Sequence, residues 1–314
     1  MPEGDSVYRA ARRLDAALSN RVLQSSDFRV PSYATLNLAS QTVSSVISRG
    51  KHLLIRVADL SIHSHLMMDG HWDVYATGER WRAPAFKARC VLRNPDFQAV
   101  GFDLGFLRVI RTVDEPDAVG HLGPDPLGAS WDAEEVHRRL AMMPDRPIAL
   151  TLLDQRVIAG LGNIYRSELL FLLGLHPRTP TSLVPDPAYL VDLAHQLLHA
   201  NKDRSRRVTT TPPMRDQYWV YGRAGKPCLR CGDTIEYRKL GQPRPSAGLP
   251  RTEERISAGR RIPETGGPLP EGGTGQVKVD AQQQATGTER CERGIDLNER
   301  DLYFCPGCQT DPFA

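Results

Sequence analysis

The amino-acid sequence predicts an α+β protein of several domains: a β-sandwich with a leading helix, a helical region, and a C-terminal zinc ribbon that contains a long disordered insertion. Short strand-like runs separated by turn residues dominate residues 20–115. Helical apolar spacing dominates residues 132–200, and two C-x-x-C pairs stand near the C-terminus. A chain of 314 residues has room for about two full-sized domains, at ~150 residues per domain.

The composition excludes several classes of protein. With 40% hydrophobic and 25% charged residues, the chain is typical of a soluble globular protein. No stretch approaches the roughly 18 apolar residues of a membrane-spanning helix, so no membrane partner is expected. Residues 1–15 carry acids and arginines where a signal peptide has an apolar core, so we expect a cytoplasmic protein. Six cysteines are too few for a disulfide scaffold in a chain of this length.

The first predicted element is a helix at residues 5–19, which precedes a series of strands. Apolar residues recur every three or four positions as far as Leu18, and Asp5 or Ser6 can cap the start. One helix followed by short strands is typical of a β-sandwich or small barrel, and we assign residues 1–115 to this domain. The strand-like runs are 52–57, 61–66, 71–75, 88–93, 97–104 and 107–112.

A turn sequence, GPDPLG at 123–128, separates the strands from a helical region. Pro147 suits a first helical position, Asn163 suits a cap, and Gly174 suits a C-terminal stop. We assign residues 125–215 to this second domain. Helical spacing is found at 132–143, 147–156, 163–173 and 187–200.

Two further segments stand out by their composition. Seven Lys or Arg residues against two Asp lie between Lys202 and Cys231. This basic surface either binds a polyanion or is merely solvated. Residues 240–290 are rich in Gly and Pro and poor in large apolar residues. They cannot bury enough surface to offset their ordering entropy, so we predict a disordered insertion.

The cysteine spacing predicts a metal site. Cys228 and Cys231 form one C-x-x-C pair, and Cys305 and Cys308 form the other. Four sulfur donors at about 2.3 Å suit one tetrahedral, structural Zn²⁺ ion. We therefore expect a zinc ribbon within residues 216–314.

The separation of the two pairs is unusual for a zinc ribbon. They stand 73 residues apart, where about 15–20 residues are common. A disordered loop between the ribbon strands explains the difference, because closure entropy grows slowly with loop length. The ribbon strands are expected at 235–239 and 301–305. Cys291 is a rival ligand, whereas Cys90 lies in a strand pattern and is predicted to be a buried thiol.

The N-terminus offers a nucleophile. Removal of Met1 would expose the secondary amine of Pro2, which can attack an aldehyde-like carbon and form an iminium. An α-amino group has a pKa of about 7.7–8.0 against about 10.4 for lysine, and the positive end of the following helix dipole lowers that pKa further. Glu3 stands next to it and can serve as general acid or base. Many chains begin Met-Pro-Glu without such chemistry, so the pattern gains weight only from the rest of the sequence.

Six motifs occur along the chain in a fixed order. They are MPEGD at 1–5, SRGKHLL at 48–54, HLMMDG at 65–70, LDQRVIAGLGNIYRSELL at 153–170, YGRAGKPC at 221–228 and the two cysteine pairs. Together they resemble the formamidopyrimidine-DNA glycosylase and endonuclease VIII family of bifunctional DNA repair enzymes. The PEGD start is similar to the endonuclease VIII branch, whereas the formamidopyrimidine branch typically begins PELPE. The motifs cover the chain except for about 240–290.

The resemblance implies a role for each matching residue. Pro2 matches the proline that forms a Schiff base with C1′ of the damaged nucleotide, and Glu3 matches the acid that protonates the sugar or base. Lys51 matches the lysine needed for β-elimination and phosphate binding. Asn163 matches the phosphate-binding asparagine of the helix–two-turns–helix motif. Arg300 matches the zinc-finger arginine tied to δ-elimination.

Further DNA contacts follow from the same resemblance. Gly162 lets the backbone approach a phosphate at a helix N-terminus. Met68 matches the methionine that fills the gap left by a flipped base, with core packing as the alternative, and Met67 shares its loop. His121 stands where relatives carry a basic DNA contact, although a surface histidine fits equally well. Glu168 matches a family glutamate near the N-terminal proline.

The chain departs from both branches at several positions. The endonuclease VIII branch often has Gln-Leu-Tyr where residues 67–69 are Met-Met-Asp, so the opposite-strand contacts differ. Residues 103–107 lack the arginines of the formamidopyrimidine branch, which argues against a preference for 8-oxoguanine opposite cytosine. His63, His65 and His71 lack a fourth donor in register, so we interpret them as structural histidines rather than metal ligands.

The sequence thus predicts a monomeric, bifunctional DNA glycosylase and AP lyase that acts on damaged double-stranded DNA, with single-stranded DNA left open. It removes oxidised bases, preferably pyrimidines, and cleaves the abasic strand by β- or β,δ-elimination. Binding should weaken with salt, because lysines and arginines displace counterions from phosphates. The alternatives are a glycosylase for oxidised purines, a catalytically silent damaged-DNA-binding protein, and a zinc-ribbon interaction protein with no preference for damage.

Overall fold

A computed structural model describes residues 2–211, 215–240 and 300–313. Met1, Cys291 and nearly all of the predicted insertion at 240–290 lie outside these residues. The described residues up to Lys239 and from Asp301 onward belong to one structural unit.

The leading helix, α1, spans Gly4–Leu18, close to the predicted 5–19. Ser6, one of the two residues expected to cap it, accepts a hydrogen bond from the Glu3 amide at 2.9 Å. Glu3 is the cap residue itself. Asp5 lies inside the first turn, where its fully buried side chain has other partners.

Two antiparallel sheets form the predicted sandwich. The first sheet has the order β1 (Arg21–Val22), β3 (Thr42–Arg49), β4 (His52–Val57), β5 (Leu60–His65) and β9 (Phe106–Arg111). The second has the order β2 (Ser25–Phe28), β7 (Ala88–Arg93), β8 (Phe97–Phe102) and β6 (His71–Ala76). The six predicted strands correspond to β4 through β9. The sequence does not predict β1, which has only two residues, or β2 and β3, in which serine and threonine dilute the apolar pattern.

The core of this domain lies between the two sheets and α1, which packs against strands of both. Trp72 of β6 donates from its indole nitrogen to the Ser64 hydroxyl of β5 at 3.1 Å, and this bond ties the sheets together. Cys90 is completely buried, as predicted, and burial raises the pKa of its thiol. The fully buried apolar residues include Leu14, Leu53, Ile55, Ile62 and Leu92.

Five α-helices follow the sandwich in the described residues. They are α2 (Glu115–Val119), α3 (Ala133–Ala141), α4 (Ile148–Thr151), α5 (Asn163–Leu172) and α6 (Pro187–Asn201). Three of the four predicted helices correspond to α3, α5 and α6. The helix predicted at 147–156 is only the single turn α4, because the Asp154 carboxylate accepts the Arg156 amide at 3.0 Å and turns the chain. No described helix is long and apolar enough to cross a membrane.

A two-stranded hairpin follows the helices. Its strands, β10 (Glu236–Leu240) and β11 (Arg300–Phe304), pair with each other, one residue away from the predicted positions. The side chains at 240 and 300 lie outside the described residues. The hairpin region packs on the end of α5, where the Arg230 guanidinium lies 4.4 Å from the centre of the Phe171 ring. Gln309 also donates to the Leu175 carbonyl at 2.8 Å.

Candidate functional site

Three segments that are distant in sequence meet through glycines. Gly4, at the start of α1, donates its amide to the Gly160 carbonyl at 2.9 Å. A Cβ at Gly4 would lie 3.1 Å from the Gly160 Cα, and one at Gly50 would lie 3.0 Å from the Ala159 Cβ. Gly50 and Gly160 also have positive φ angles of 58° and 91°. Glycine is therefore required where the N-terminus, the β3–β4 turn and the loop before α5 touch.

Glu3 joins the N-terminus to the start of α5. Its side chain is completely buried. One carboxylate oxygen accepts the Ile164 amide at 2.8 Å, and the other accepts the Gly162 amide at 2.9 Å and the Tyr165 amide at 3.4 Å. Glu3 thus satisfies donors that a helix N-terminus leaves without an intrahelical partner.

The same contacts correct the expected role of the α5 start. Gly162, not Asn163, precedes the helix as its cap residue, and Asn163 is its first residue. Because three amides at this terminus already bind Glu3, they are not available to a phosphate in this arrangement. A Cβ at Gly162 would lie 2.6 Å from the Glu3 carboxyl carbon, so the glycine is needed for the approach of Glu3.

Lys51 lies in the β3–β4 turn, beside Gly50, and is half-buried. The Gly50 amide donates to the Asp125 carboxylate at 2.7 Å, and the Leu127 amide donates to its other oxygen at 2.9 Å. Burial raises the pKa of Asp125, although these two hydrogen bonds act to lower it. Asp125 therefore fixes the turn that carries Lys51. The sequence places Asp125 only in a loop, because its partner lies 75 positions away.

Pro2 directly precedes this assembly and is half-buried. It is the neighbour of Glu3, whose amide is held by Ser6 and whose carboxylate is held by the start of α5. The structure thus gathers Pro2, Glu3 and Gly162 at one place and brings the Lys51 turn against the same loop.

A group of buried histidines lies next to Lys51. The Nδ1 atom of His52 is 2.8 Å from Nε2 of His63, and the rings of His52 and His65 are 5.2 Å apart. Burial lowers the pKa of His63 and of His65 to about 4 and holds the pKa of His52 well below its usual value. These imidazoles are therefore neutral at pH 7.

The composition of this group differs from the set expected from sequence. His52 takes part, whereas His71 lies on another strand, stacked on Phe102 at 5.3 Å. Among the described residues, only the four ribbon cysteines form a group of three or more potential metal ligands. The histidines fit the structural interpretation.

Met67 and Met68 form the turn between β5 and β6. The Met67 amide donates to Nδ1 of His65 at 2.9 Å, and Met67 has a positive φ of 54°. A Cβ at Gly105 would lie 2.8 Å from the Met67 side chain, so Met67 packs against the turn between β8 and β9. Met68 is 63% exposed, which excludes the alternative that it is a core residue.

The turn between β8 and β9 contains only residues 103–105. Asp103 has a positive φ of 47°, and its carboxylate accepts the Lys87 ammonium at 2.8 Å. This turn contains no arginine. His121 is exposed and lies close enough to His52 and His63 to lower the pKa of both.

Glu168 lies on α5 and is completely buried. Its carboxylate accepts the amides of Trp219, Val220 and Tyr221 at 2.7 to 2.9 Å, and also the Thr209 hydroxyl. Burial raises the pKa of Glu168, although these hydrogen bonds act to lower it. This residue organises the chain that leads from α6 to the ribbon.

The four ribbon cysteines come together. Their sulfur atoms all lie within 4.8 Å of one another, with 3.9 Å between Cys228 and Cys308 and 3.4 Å between Cys231 and Cys305. Zinc–sulfur bonds of about 2.3 Å in a tetrahedron require sulfur atoms about 3.8 Å apart. The donor set therefore fits a metal ion of this kind.

Comparisons with known proteins agree with this arrangement. The profile of the formamidopyrimidine-DNA glycosylase N-terminal domain matches residues 1–104, and that of the formamidopyrimidine-DNA glycosylase H2TH domain matches residues 122–200. The chain is 51% identical to the probable endonuclease 8 2 of Streptomyces coelicolor, over 77% of this chain and 88% of that protein. It is 45% identical to the DNA-(apurinic or apyrimidinic site) lyase Nei2 of Mycolicibacterium smegmatis, over 77% of this chain and 95% of that protein.

A solved structure shows the same fold. The formamidopyrimidine-DNA glycosylase of Lactococcus lactis, bound non-covalently to DNA containing an AP site, superposes with a TM-score of 0.66. The match covers 98% of this chain and all of the other at 22% sequence identity. At that identity the likeness concerns the fold alone, and it confirms the succession of sandwich, helical region and cysteine hairpin.

Proposed function

Because this chain belongs to the formamidopyrimidine-DNA glycosylase and endonuclease VIII family, we propose that it is a bifunctional DNA glycosylase and AP lyase of base excision repair. Its substrate is damaged double-stranded DNA. The convergence of Pro2, Glu3 and the Lys51 turn on the loop before α5 is the observation that carries this proposal. These residue types supply a nucleophile, a proton carrier and a cation at one place.

The first half-reaction is base removal. Once Met1 has been removed, the lone pair of the free Pro2 amine forms a bond to C1′ as the bond between C1′ and the damaged base breaks. The base leaves with the bonding electrons and takes up a proton. Opening of the sugar then leaves an iminium between Pro2 and C1′. The buried Glu3 carboxyl group is adjacent to Pro2 and exchanges the proton that ring opening requires.

The second half-reaction is strand cleavage. The iminium acidifies C2′, and loss of a C2′ proton expels the 3′ phosphate by β-elimination. Lys51 stabilises the phosphate charge during this step. A second elimination that expels the 5′ phosphate is assigned to Arg300, at the start of β11. Water finally hydrolyses the iminium and frees Pro2.

DNA binding is assigned to groups around this centre. Asn163 contacts a phosphate through its side chain, since the neighbouring amides bind Glu3, and Gly162 contributes to DNA binding by letting Glu3 approach the start of α5. Met68, exposed at the tip of its turn, fills the gap left by the flipped nucleotide. Met67 supports that turn, and His121, which lies near His52 and His63, is assigned as a phosphate contact.

We assign the lesion class to oxidised pyrimidines. The three-residue β8–β9 turn leaves no arginine-bearing loop to read an oxidised purine. The second candidate is an oxidised-purine glycosylase, because both matching family profiles are described as domains of formamidopyrimidine-DNA glycosylase. Comparing excision of 5-hydroxycytosine and of 8-oxoguanine from otherwise identical duplexes decides between them.

We further propose that Cys228, Cys231, Cys305 and Cys308 hold one structural Zn²⁺ ion. Four thiolates complete a closed coordination shell, so the ion supplies stability rather than chemistry. It would hold the β10–β11 hairpin against the end of α5. In this assignment residues 1–115 form the catalytic domain, 125–215 the DNA-binding helical domain and 216–314 the ribbon of a monomer.

Reductive trapping tests the proposed nucleophile. Wild-type protein incubated with borohydride and an abasic duplex should form a covalent adduct, and Pro2→Gly should reduce its rate at least a hundredfold. Pro31→Gly, which replaces an exposed proline outside the site, serves as the matched control. A Pro2→Gly protein that traps DNA at the wild-type rate would refute the assignment of Pro2. An absence of trapping by the wild-type protein would refute the proposed activity.

A further inference from the structure

A buried ion pair lies in the first turn of α1, outside the chemistry assigned above. Arg207, which follows α6, donates from Nε to the Asp5 carboxylate at 3.0 Å and from Nη2 to its other oxygen. The Asp5 side chain is completely buried and that of Arg207 is 7% exposed. A two-pronged contact of this kind fixes orientation as well as distance.

Arg207 also contacts the element that holds Glu3. Its guanidinium carbon lies 4.9 Å from the centre of the Tyr165 ring. The Tyr165 amide is one of the three donors to the Glu3 carboxylate. Arg207 therefore bridges the first turn of α1 and the first turn of α5, the two elements that enclose Glu3.

Two buried acids and one buried arginine lie at this contact. Glu3 and Asp5 are two completely buried carboxyl groups, two positions apart. Burial acts to lower the pKa of Arg207, but Glu3 and Asp5 raise it, so the guanidinium stays charged. Arg9 also contacts Asp5, at 3.3 Å, but its side chain is 23% exposed. Arg207 is thus a buried cation beside the two acids and offsets part of their charge.

We propose that Arg207 is a positioning residue for the N-terminal nucleophile, acting through Asp5. Its two hydrogen bonds to Asp5 hold the first turn of α1 in place. Because Pro2 directly precedes that turn, they also set the direction of the Pro2 nitrogen. Its charge also offsets the two acids next to that nitrogen. The inference rests on the proposed role of Pro2 as nucleophile.

The charge effect has a sign that can be measured. Asp5 stands three positions after Pro2, a span of at most about 11 Å. A nearby cation favours the neutral, nucleophilic amine, whereas a nearby anion favours the ammonium. The titratable or charged groups that act on Glu3, Asp5 and Arg207 are Arg9 from α1, Tyr165 from α5, and Tyr218 and Tyr221 from the chain after α6. Lys51 lies in the β3–β4 turn, which touches the loop before α5.

The experiment is single-turnover trapping on an abasic duplex with cyanoborohydride between pH 5 and 9, with enzyme in excess. The rate rises with pH as the amine loses its proton, and the midpoint of that rise is the measured quantity. Arg207→Met should raise the midpoint by about one pH unit, and Asp5→Asn should lower it by about as much. These shifts correspond to one charge at ~10 Å in an effective dielectric of ~20. The double variant should return the midpoint close to the wild-type value.

Two further variants separate charge from geometry. Arg207→Lys keeps the charge but loses the planar fork, so the maximal rate should fall roughly tenfold while the midpoint stays in place. Arg206→Met removes an equal charge from an exposed neighbour and should leave the midpoint unmoved. Melting temperatures of all variants show which of them fold.

The outcomes are distinct. Midpoints that stay in place, or move in the same direction in Arg207→Met and Asp5→Asn, would overturn the inference while trapping by the wild-type protein upholds the proposed function. Failure of the wild-type protein to trap at any pH would overturn the proposed function instead. If Arg207→Met does not fold, the other two variants still test the proposal. An unmoved midpoint in Asp5→Asn, or an unchanged maximal rate in Arg207→Lys, contradicts it.

Discussion

The sandwich and the cysteine hairpin are stabilised in different ways. In the sandwich, Leu53, Ile55 and Ile62 are completely buried between two sheets. The hairpin has only two strands, a size that is marginal in water, and Tyr237 on β10 is 43% exposed. The first region therefore provides its own stability through apolar burial. The second contains the four cysteines that we propose to hold a Zn²⁺ ion, and this ion would supply the stability that two strands lack.

Helix α5 connects these two regions. Its N-terminus binds the Glu3 carboxylate, its middle holds residues 219–221 through Glu168, and its C-terminal Phe171 packs against Arg230. A disturbance of the hairpin reaches the candidate site through this helix. The comparison teaches that loss of the hairpin should impair DNA chemistry without unfolding the sandwich.

The largest expected effect is loss of the metal. Cys228→Ser should reduce bound zinc from about one equivalent to near zero, because it removes one of the four thiolate ligands. The hairpin should then unfold, because structural zinc contributes about 10–16 kcal/mol to folding of small zinc domains. Hydrogen-exchange protection should disappear at the Tyr303 and Phe304 amides and persist at Ile55. Strand cleavage should fall at least a hundredfold. Metal analysis, exchange mass spectrometry and a strand-cleavage assay on an abasic duplex measure these three effects.

Cys90→Ser is the matched control, since Cys90 is buried in the sandwich and far from the cysteine group in sequence. It should keep its zinc. Full zinc retention by Cys228→Ser would remove the ribbon assignment. Loss of protection at Ile55 in that variant would show that the stability of the sandwich depends on the hairpin.

The next effect concerns the sandwich core. Leu53→Ala should lower the free energy of unfolding by about 3 kcal/mol, because it removes a completely buried side chain from β4 and leaves a cavity. The zinc content should not change. Val113→Ala, at a position 75% exposed, should stay within about 0.5 kcal/mol of the wild-type value. Urea unfolding gives both values, and a Leu53→Ala protein that loses zinc would contradict the separation of the two regions.

A smaller effect depends on pH. Burial lowers the pKa of His63 and of His65 to about 4, so the unfolded chain takes up protons at a higher pH than the folded one. Sandwich stability should therefore fall as pH drops from about 6.5 towards 4, by about 2 kcal/mol per histidine at pH 4.5. His63→Gln should remove one such contribution.

The measurement is hydrogen exchange of the β4 amides at pH 7 and 4.5, which is not affected by acid release of metal from the hairpin. His71→Gln is the control, because that histidine is 45% exposed and lies outside the buried group. An equal acid sensitivity in the wild-type protein and His63→Gln would show that His63 is not buried as a neutral imidazole.

The smallest effect on stability is expected at Met68. Met68→Ala should leave the free energy of unfolding within about 0.5 kcal/mol, since the side chain is 63% exposed. Base excision from a duplex should slow roughly tenfold, because the gap left by the flipped nucleotide is not filled. Met142→Ala removes another exposed methionine, 75% exposed, just after α3 and should not slow excision. Equal rates for both variants would exclude Met68 as the wedge.

The sequence predicts the apolar strands and the cysteine group well, because their patterns are local. It fails for β1, which has only two residues, for β2 and β3, where Ser and Thr interrupt the apolar pattern, and for the helix at 147–156, which the Asp154 side chain ends after one turn. The partners of the predicted site residues are also missed. Asp125 meets Gly50 across 75 positions, and no short-range pattern signals such a contact.

The same limit applies to the start of α5. A helix that follows GLGN indicates free amides for an anion, yet these amides bind Glu3, which stands some 160 positions earlier. His52 likewise joins the buried histidines only because β4 pairs with β5 in a register that sets it opposite His65. Long-range register and burial, rather than residue type, decide these contacts.

The hydrogen bonds from Glu3 to the start of α5 have a consequence for biosynthesis. A ribosome adds about 5–20 residues per second, so Gly162 follows Glu3 by roughly 10–30 s. Throughout that interval the first residues emerge without the donors that will enclose them, and enzymes that process nascent chains can reach them. Enclosure of the Glu3 carboxylate is thus timed by translation, and a chain interrupted before residue 162 exposes an N-terminus that still lacks these donors.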